Sequence, residues 1–319
     1  QEQFANQESI RFLIEHNVSP GLATKICHKY GNQTVELVSR NPYRLAKDIR
    51  GIGFKTADSI AHHLGIVRDD PERLKAGLLY VLERATDDGH CFLPAEQLSQ
   101  RARELLDLDP QGDLQNALNE HVASGDIIDD EGKFYLPYLF RAENSIADFV
   151  STRCQLLTAS PIPEQIVNRA LEEAEMELGI RFSHEQRRAV QYAGKARMLI
   201  ITGGPGCGKT TVTRALSILF QRANKKLLLA APTGRAAQRL GQVTGLPAST
   251  IHRLLKYDPH RNTFTHEIND PLIADAIIVD EASMIDVSLG MALFAAIAKD
   301  TTLILVGDKD QLPSVGPGT

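Results

Sequence analysis

Residues 197–211 read RMLIITGGPGCGKTT, and the rest of the chain is organised around them. Met198, Leu199, Ile200 and Ile201 make a short apolar run of the kind a buried strand shows. The run breaks into a glycine-rich turn, after which Lys209, Thr210 and Thr211 open a stretch with helical spacing. Gly203, Gly208, Lys209 and Thr210 satisfy G-x-x-x-x-G-K-[ST], the phosphate-binding loop. Gly204, Pro205, Gly206, Cys207 and Gly208 would form the cradle, because glycines let backbone N–H groups curl around phosphate oxygens. The helix that follows adds partial positive charge at its N-terminus. Lys209 is the expected partner of the β- and γ-phosphates, and the Thr210 hydroxyl is the expected ligand of Mg²⁺. These residues imply a nucleotide site.

The 319 residues leave room for two or three domains. Hydrophobic residues make up 43% and charged residues 24%, as in ordinary globular proteins. Cys27, Cys91, Cys154 and Cys207 are far apart and form no CxxC pair, which argues against zinc and against a disulfide framework and fits a reducing cytosol. No apolar run approaches the ~18 residues of a membrane span, and the opening QEQFANQESI does not resemble a signal peptide. Gln at position 1 suggests processing or an excised segment. At a net charge of −5, nucleic-acid binding would have to come from local basic patches.

Upstream, residues 9–66 read as short helices joined by tight turns. Asn41 is expected to cap a helix with Pro42 at its first position, with Leu45 and Ile49 on the apolar face. Arg50-Gly51-Ile52-Gly53 then leads into a second helix, where Ala57, Ile60, Ala61 and Leu64 recur at i, i+3, i+4, i+7. Helix, G-I-G turn, helix resembles the helix-hairpin-helix motif of DNA repair and replication proteins. Ser19-Pro20-Gly21 through Ile26 is similar to a weaker first copy, so a tandem pair over residues 1–68 is expected. In that motif the amides of Gly51 and Gly53 would face a phosphate beside Lys55, without reading sequence. A purely structural helical hairpin is the alternative.

Residues 69–138 carry three helical stripes, one through Leu74, Leu78, Val81 and Leu82, one opened by Pro94, and one through Leu114 and Leu118 ended by Gly125. Ile127-Ile128 and Phe134-Tyr135-Leu136 flank Asp129-Asp130-Glu131-Gly132, a hairpin signal. The pattern resembles a winged helix, but its acidic tip repels phosphate and favours a structural or protein-facing role over duplex reading. Residues 139–180 read as two connecting helices, and Glu172, Glu173, Glu175 and Glu177 as a solvated face.

From Arg181 the chain alternates strands and helices. Apolar runs at 198–201, 227–231, 276–279 and 303–306 imply a parallel sheet covered on both faces, with ligands at the carboxyl ends of its strands. The third run ends in Asp280-Glu281, two acids that are costly there unless a metal or a proton-transfer role stabilises them. Asp280 would hold Mg²⁺ and Glu281 would orient and deprotonate the attacking water. After the fourth run comes Gly307-Asp308-Lys309-Asp310-Gln311-Leu312-Pro313, where Gln311 can report the γ-phosphate. Thr233, Gly234 and Arg235 follow the second run, and Thr250 and His252 lie further on. Both stretches suit a nucleic-acid backbone, or ordinary surface loops.

The segments ITGGPGCGKTT, APTGRAA, STIHRLL, IIVDEASMID and LVGDKDQLPSVGPG stand in the order of helicase motifs I, Ia, Ib, II and III. They resemble the superfamily 1 DNA helicases of the RecD type, and the helix-hairpin-helix front end points to the branch with a long N-terminal extension. The resemblance implies an all-α and winged-helix-like front followed by an α/β RecA-like lobe over 181–319. It implies Gln186 as an adenine contact, ATP and Mg²⁺ as cofactors, and Lys209, Asp280, Glu281 and Gln311 as the catalytic set. It places Thr233, Gly234, Arg235, Thr250 and His252 along single-stranded DNA, with 5′ to 3′ movement on substrates bearing a 5′ overhang. A cytoplasmic bacterial monomer follows from the same likeness, with single-strand-binding protein as a candidate partner and no membrane. Motifs IV to VI do not follow Gln311 in this sequence, so near-background ATP hydrolysis is expected of these residues alone. A nucleotide-gated DNA-binding module and a phosphate-loop ATPase acting on proteins are the rival readings.

Overall fold

The computed structural model describes the chain except residues 1, 110–113, 155, 159, 309, 312 and 319, and the side chains of residues 2–6. Lys309 and Leu312, in the stretch around Gln311, lie outside the described residues. The chain divides into two compact units, Gln1–Pro137 and Tyr138–Thr319.

The first unit begins with α1 (Glu2–Glu15), α2 (Pro20–Tyr30), α3 (Thr34–Arg40), α4 (Arg44–Asp48) and α5 (Phe54–His63). Two of its turns repeat one design. Asn17, at φ 67°, precedes buried Val18, and extended Ser19 stands before α2. Gly51, at φ 101°, precedes buried Ile52, and extended Gly53 stands before α5. In each, a left-handed residue reverses the chain and a buried aliphatic pins the reversal. The expected helix start at Asn41-Pro42 is corrected: α4 starts at Arg44. Asn41 instead ends α3 and its Oδ1 accepts the Tyr43 N–H at 3.0 Å. Leu45 and Ala46 donate to carbonyls only three residues back, so the entry is a tight turn.

α6 (Pro71–Asp87), β1 (Phe92–Pro94), α7 (Ala95–Leu106), α8 (Gln115–Ser124), β2 (Ile128–Asp130) and β3 (Lys133–Tyr135) complete this unit, with the strands antiparallel in the order β1-β3-β2. Asp70 caps α6, accepting from the Glu72 and Arg73 N–H groups. The hairpin turns through Glu131 and Gly132, both at positive φ. Pro94 closes β1 and precedes α7, rather than lying inside the helix. A polar cluster binds the two halves together. Arg73 grips Asp58 with two bonds of 2.8 and 3.1 Å, and the Tyr43 hydroxyl donates to the same carboxylate at 2.8 Å. Arg73 also donates to the Leu106 carbonyl, and Asn41 donates to Glu72 at 2.6 Å. Phe54 stacks between Tyr43 and Tyr80.

The second unit is α/β. α9 (Pro137–Cys154), α10 (Glu164–Leu178), α11 (His184–Ala193), β4 (Met198–Thr202), α12 (Lys209–Arg222), β5 (Leu227–Ala231), α13 (Gly234–Thr244) and β6 (Ala248–Thr250) come first. α14 (Ile251–Leu254), the small pair β7 (Tyr257–Asp258) and β8 (Thr263–Phe264), β9 (Ala276–Val279), α15 (Val287–Ala295) and β10 (Thr302–Gly307) follow. The main sheet is parallel in the order β4-β10-β9-β5-β6. Alternation sends Ile278 and Ile304 to one face, against Leu171, Leu216, Leu219 and Leu240, and Ile277 and Leu303 to the other, against Leu293, Phe294 and Ile251. Both faces of the central strands β9 and β10 are covered, so these read as apolar runs, whereas edge strand β4 leaves Ile200 exposed.

The helices read as connectors are part of this packing. α10 lies along α12, and its acidic residues are not simply solvated. Glu175 accepts from Arg187 at 2.6 Å and from the Phe182 N–H at 2.8 Å, Glu177 accepts from Arg214 at 2.6 Å, and Glu173 pairs with Arg222. Arg153 of α9 is buried and forms no ion pair among the described residues. Its guanidinium donates to the Thr301 and Ala298 carbonyls at 2.7 Å each and lies over the Phe149 ring. Burial pushes its pKa down.

Candidate active site

β4 ends at Thr202, and the chain loops through Gly203 to Gly208 before α12 begins at Lys209. Gly206 and Gly208 sit at φ 81° and 79°, which places the loop's turns in the left-handed region. Lys209 folds back over its own loop. Its Nζ donates to the carbonyls of Gly203 and Gly204 and lies 3.3 Å from Asp308 Oδ2. Asp308 stands just past β10 with 1% of its side chain exposed. The Asp310 N–H, donating to it at 3.1 Å, and then Lys209 hold its carboxyl below the usual range. The sequence reading gave Asp308 no role, although its place after a buried strand matches that of Asp280.

β9 ends in the two acids. Burial raises the Asp280 pKa, against the N–H of Glu281, which donates to Asp280 Oδ1 at 3.0 Å. Glu281 is held at φ 53°, a left-handed conformation costly for a side-chain-bearing residue, of order 1 kcal/mol or more. Among the described residues its Oε2 is buried without a hydrogen-bond partner, as is the hydroxyl of Ser283. Strain and an unpaired carboxylate oxygen in one residue mark a group shaped for something other than its own fold. Lys209, Thr210, Asp280, Glu281 and Gln311 border one cavity of about 300 Å³. Among the described residues no cluster of three or more His, Cys, Asp or Glu could hold a metal unaided. Mg²⁺ at nucleotide sites takes one or two protein oxygens and fills its shell with phosphate oxygens and water.

Gln186 closes the loop from the side. Its Oε1 accepts the Ser183 N–H at 2.9 Å in a reciprocal cap of α11, and its Nε2 donates to the Cys207 carbonyl at 3.1 Å. A Cβ on Gly208 would run into that Nε2, so the loop and the glutamine interlock. Thr211 is half-buried in the first turn of α12, and Cys207 is exposed.

Thr233 and Thr250 cap α13 and α14, their hydroxyls accepting the Ala236 and Arg253 N–H groups at 3.2 Å each. They stand at the carboxyl ends of the neighbouring strands β5 and β6. Gly234 and Arg235 are exposed in the first turn of α13. Arg235 and Thr233 border a second cavity of about 430 Å³, which shares Arg239, Glu281 and Gln311 with the first. His252 is exposed and meets Tyr257 and Phe264 at ring separations of 5.5 and 5.8 Å. Arg239, Tyr257 and Phe264 escaped the sequence reading, since only the phase of α13 and the pairing of β7 with β8 bring them here.

In the first unit, Gly51, Gly53 and Lys55 are exposed around the second turn. The N–H groups of Gly51 and Gly53 make no backbone hydrogen bond among the described residues. Lys25, His28, Lys29 and Arg50 border an open hollow beside the same turn.

Residues 186–317 match the family model described as an AAA domain, and residues 2–92 match the helix-hairpin-helix domain of the ATP-dependent RecD2 DNA helicase. The chain is 34% identical over 310 residues to the ATP-dependent RecD2 DNA helicase of Deinococcus radiodurans, covering 93% of the chain and 42% of that protein. It is 40% identical over 158 residues to the RecBCD enzyme subunit RecD of Mycolicibacterium smegmatis, covering 42% of the chain and 28% of that protein. Against the ATP-dependent DNA helicase dda of Enterobacteria phage T4 it is 35% identical over 130 residues, or 39% of the chain and 30% of that protein. The chain spans less than half the length of each of these relatives. With its parallel-sheet phosphate-loop unit and its helical front end, the chain belongs to the RecD-like helicase family, in the branch with an N-terminal helix-hairpin-helix extension.

Proposed function

We propose that this chain is the ATP-binding part of a DNA helicase of repair or recombination, and that it supplies the residues with which the whole helicase hydrolyses ATP. The observation that carries the reading is the single cavity bordered by Lys209, Thr210, Asp280, Glu281 and Gln311, at the carboxyl ends of three parallel strands. Lys209 exchanges the Gly203 and Gly204 carbonyls and Asp308 for the β- and γ-phosphates. Glu281, with an unpaired oxygen already desolvated, orients the attacking water and takes its proton. Gln311 donates to the γ-phosphate and Gln186 reaches the adenine. The desolvated Asp280 carboxylate and the Thr210 hydroxyl on the same cavity fit Mg²⁺, which when bound would neutralise phosphate charge.

Thr233, Gly234, Arg235, Thr250 and His252 lie along single-stranded DNA in this reading, with movement 5′ to 3′ from a 5′ overhang. Gly51, Gly53 and Lys55 hold backbone phosphate at the front end. The four parts 1–68, 69–138, 139–180 and 181–319 then serve as phosphate-binding hairpins, winged-helix-like spacer, connector and motor lobe. The protein works as a monomer in the bacterial cytoplasm, with single-strand-binding protein as a partner. Among the described residues no helix is long and apolar enough to cross a membrane. Titration with fluorescent ATP and ADP analogues tests the site. Lys209→Ala should lose most of the affinity, and unchanged binding would overturn the assignment.

A further inference from the structure

We infer that Arg239 is a second phosphate-contacting cation of this site, placed to touch the terminal phosphate of the bound nucleotide; the inference rests on the nucleotide reading above. On α13, Ala237, Leu240 and Thr244 are buried, which turns Arg235 and Arg239, four residues apart, to the opposite, exposed side. Arg239 borders the nucleotide cavity together with Asp280, Glu281 and Gln311, and it also borders the neighbouring cavity beside Thr233 and Arg235. It stands in the wall between them.

Two features set this arginine apart from others in the same unit. Arg187, Arg214 and Arg222 are each ion-paired, whereas Arg239 has no hydrogen bond or ion pair among the described residues. The local charge balance also calls for it. Asp280, Glu281 and Asp308 bring three negative charges around this end of the sheet, and Lys209 is already engaged with Asp308. A polyphosphate entering such a site needs cations beyond one lysine, and a guanidinium presents several donors in a fixed fork suited to phosphate oxygens. The phosphate loop surrounds the inner phosphates, so the terminal one extends toward Glu281 and Gln311. Arg239 borders that end.

A phosphate of the DNA strand in the neighbouring cavity presents the same chemistry, and the test separates the two sources. The 319-residue chain and its Arg239→Gln and Arg239→Lys variants are titrated with a non-hydrolysable ATP analogue, with ADP, and with a single-stranded oligonucleotide in the absence of nucleotide. Arg239→Gln should weaken the triphosphate about tenfold while changing ADP and oligonucleotide affinity less than twofold, and Arg239→Lys should restore part of the loss. Equal losses for both nucleotides, no change for either, or a loss confined to the oligonucleotide would each overturn the inference. Failure of the unmodified chain to bind either nucleotide would instead sink the nucleotide reading, and this inference with it. Arg239 is exposed, so matching thermal melts of the three proteins should confirm that the fold is intact.

Discussion

In the first unit half-buried charges answer one another: Arg73 holds Asp58, Tyr43 donates to the same carboxylate, and Asn41 reaches Glu72. What remains open around its second turn is backbone, the N–H groups of Gly51 and Gly53. At the strand ends of the second unit the reverse holds. There the side chains are left wanting, with Glu281 Oε2 and the Ser283 hydroxyl unpaired among the described residues and Glu281 in a strained conformation. One unit offers a ligand its main chain on a satisfied scaffold, and the other offers side chains that the fold itself does not complete. Substitutions should therefore act differently in the two.

The largest effect is expected at the incomplete end. In a longer form of the protein that also carries the remaining helicase motifs, Glu281→Gln should lower ATP turnover by about 10²–10⁴-fold, because an amide cannot accept the water's proton, while nucleotide affinity stays within a few-fold. Phosphate-release assays beside binding titrations check it, and wild-type turnover would break the contrast. Next comes the satisfied scaffold. Arg73→Met leaves Asp58 with only Tyr43 and should destabilise the first unit by roughly 2–4 kcal/mol, read from denaturant unfolding. A loss below half a kcal/mol would mean the cluster is ornamental.

A sharper probe is Gly53. Its φ of −101° is open to any residue, and an added Cβ would meet nothing within 4 Å. Nothing inside the fold demands glycine there. Gly53→Ser supplies a better helix cap, so stability should change by no more than about 0.5 kcal/mol. DNA affinity at low salt should nonetheless fall several-fold, because the side chain blocks approach to the amide. Unchanged DNA binding would favour a purely structural hairpin. Gly51, at φ 101°, differs: Gly51→Ala should cost about 1–2 kcal/mol through backbone strain alone.

The smallest effect is spectroscopic. Burial, then the bond to Asp48, pushes Tyr30 up to about 12, and burial with the Asp58 bond raises Tyr43 further. Both groups are neutral when folded and ionise more readily when unfolded. Their contribution is thus complete below pH 10 and is lost as pH rises from about 10 toward 12. Alkaline absorbance titration of the protein and of its Tyr30→Phe and Tyr43→Phe variants should show these two tyrosines ionising late, and only while the first unit remains folded.

The phosphate loop, the acidic pair and the parallel sheet were legible because each depends on residue identity at fixed spacing along one segment. Lys209, Asp280 and Glu281 could be named from the chain and do border one cavity. Asp308 and Arg239 could not. Asp308 matters through a lysine 99 positions away, and Arg239 through the rotation of α13. The acidic run on α10 looked solvated because its partners, Arg187, Arg214 and Arg222, lie on other helices. β1 is three residues long and ends in proline, so no periodicity announces it; only pairing with β3 makes it a strand. Helix entry at α4 was misplaced because an Asn-Pro pair serves a tight turn as well as a cap.

The resting posture of Lys209 bears on selectivity. With two loop carbonyls and a buried carboxylate around its ammonium, the lysine is not a bare charge waiting for any anion. A ligand must return as many bonds as it displaces. Inorganic phosphate or sulfate can meet the ammonium but cannot also fill the loop's amide cradle, the strand-end acids and the far wall at once. A nucleoside triphosphate with its cation would reach all three, so the contacts of Lys209 should favour a ligand that spans the cavity over a small anion.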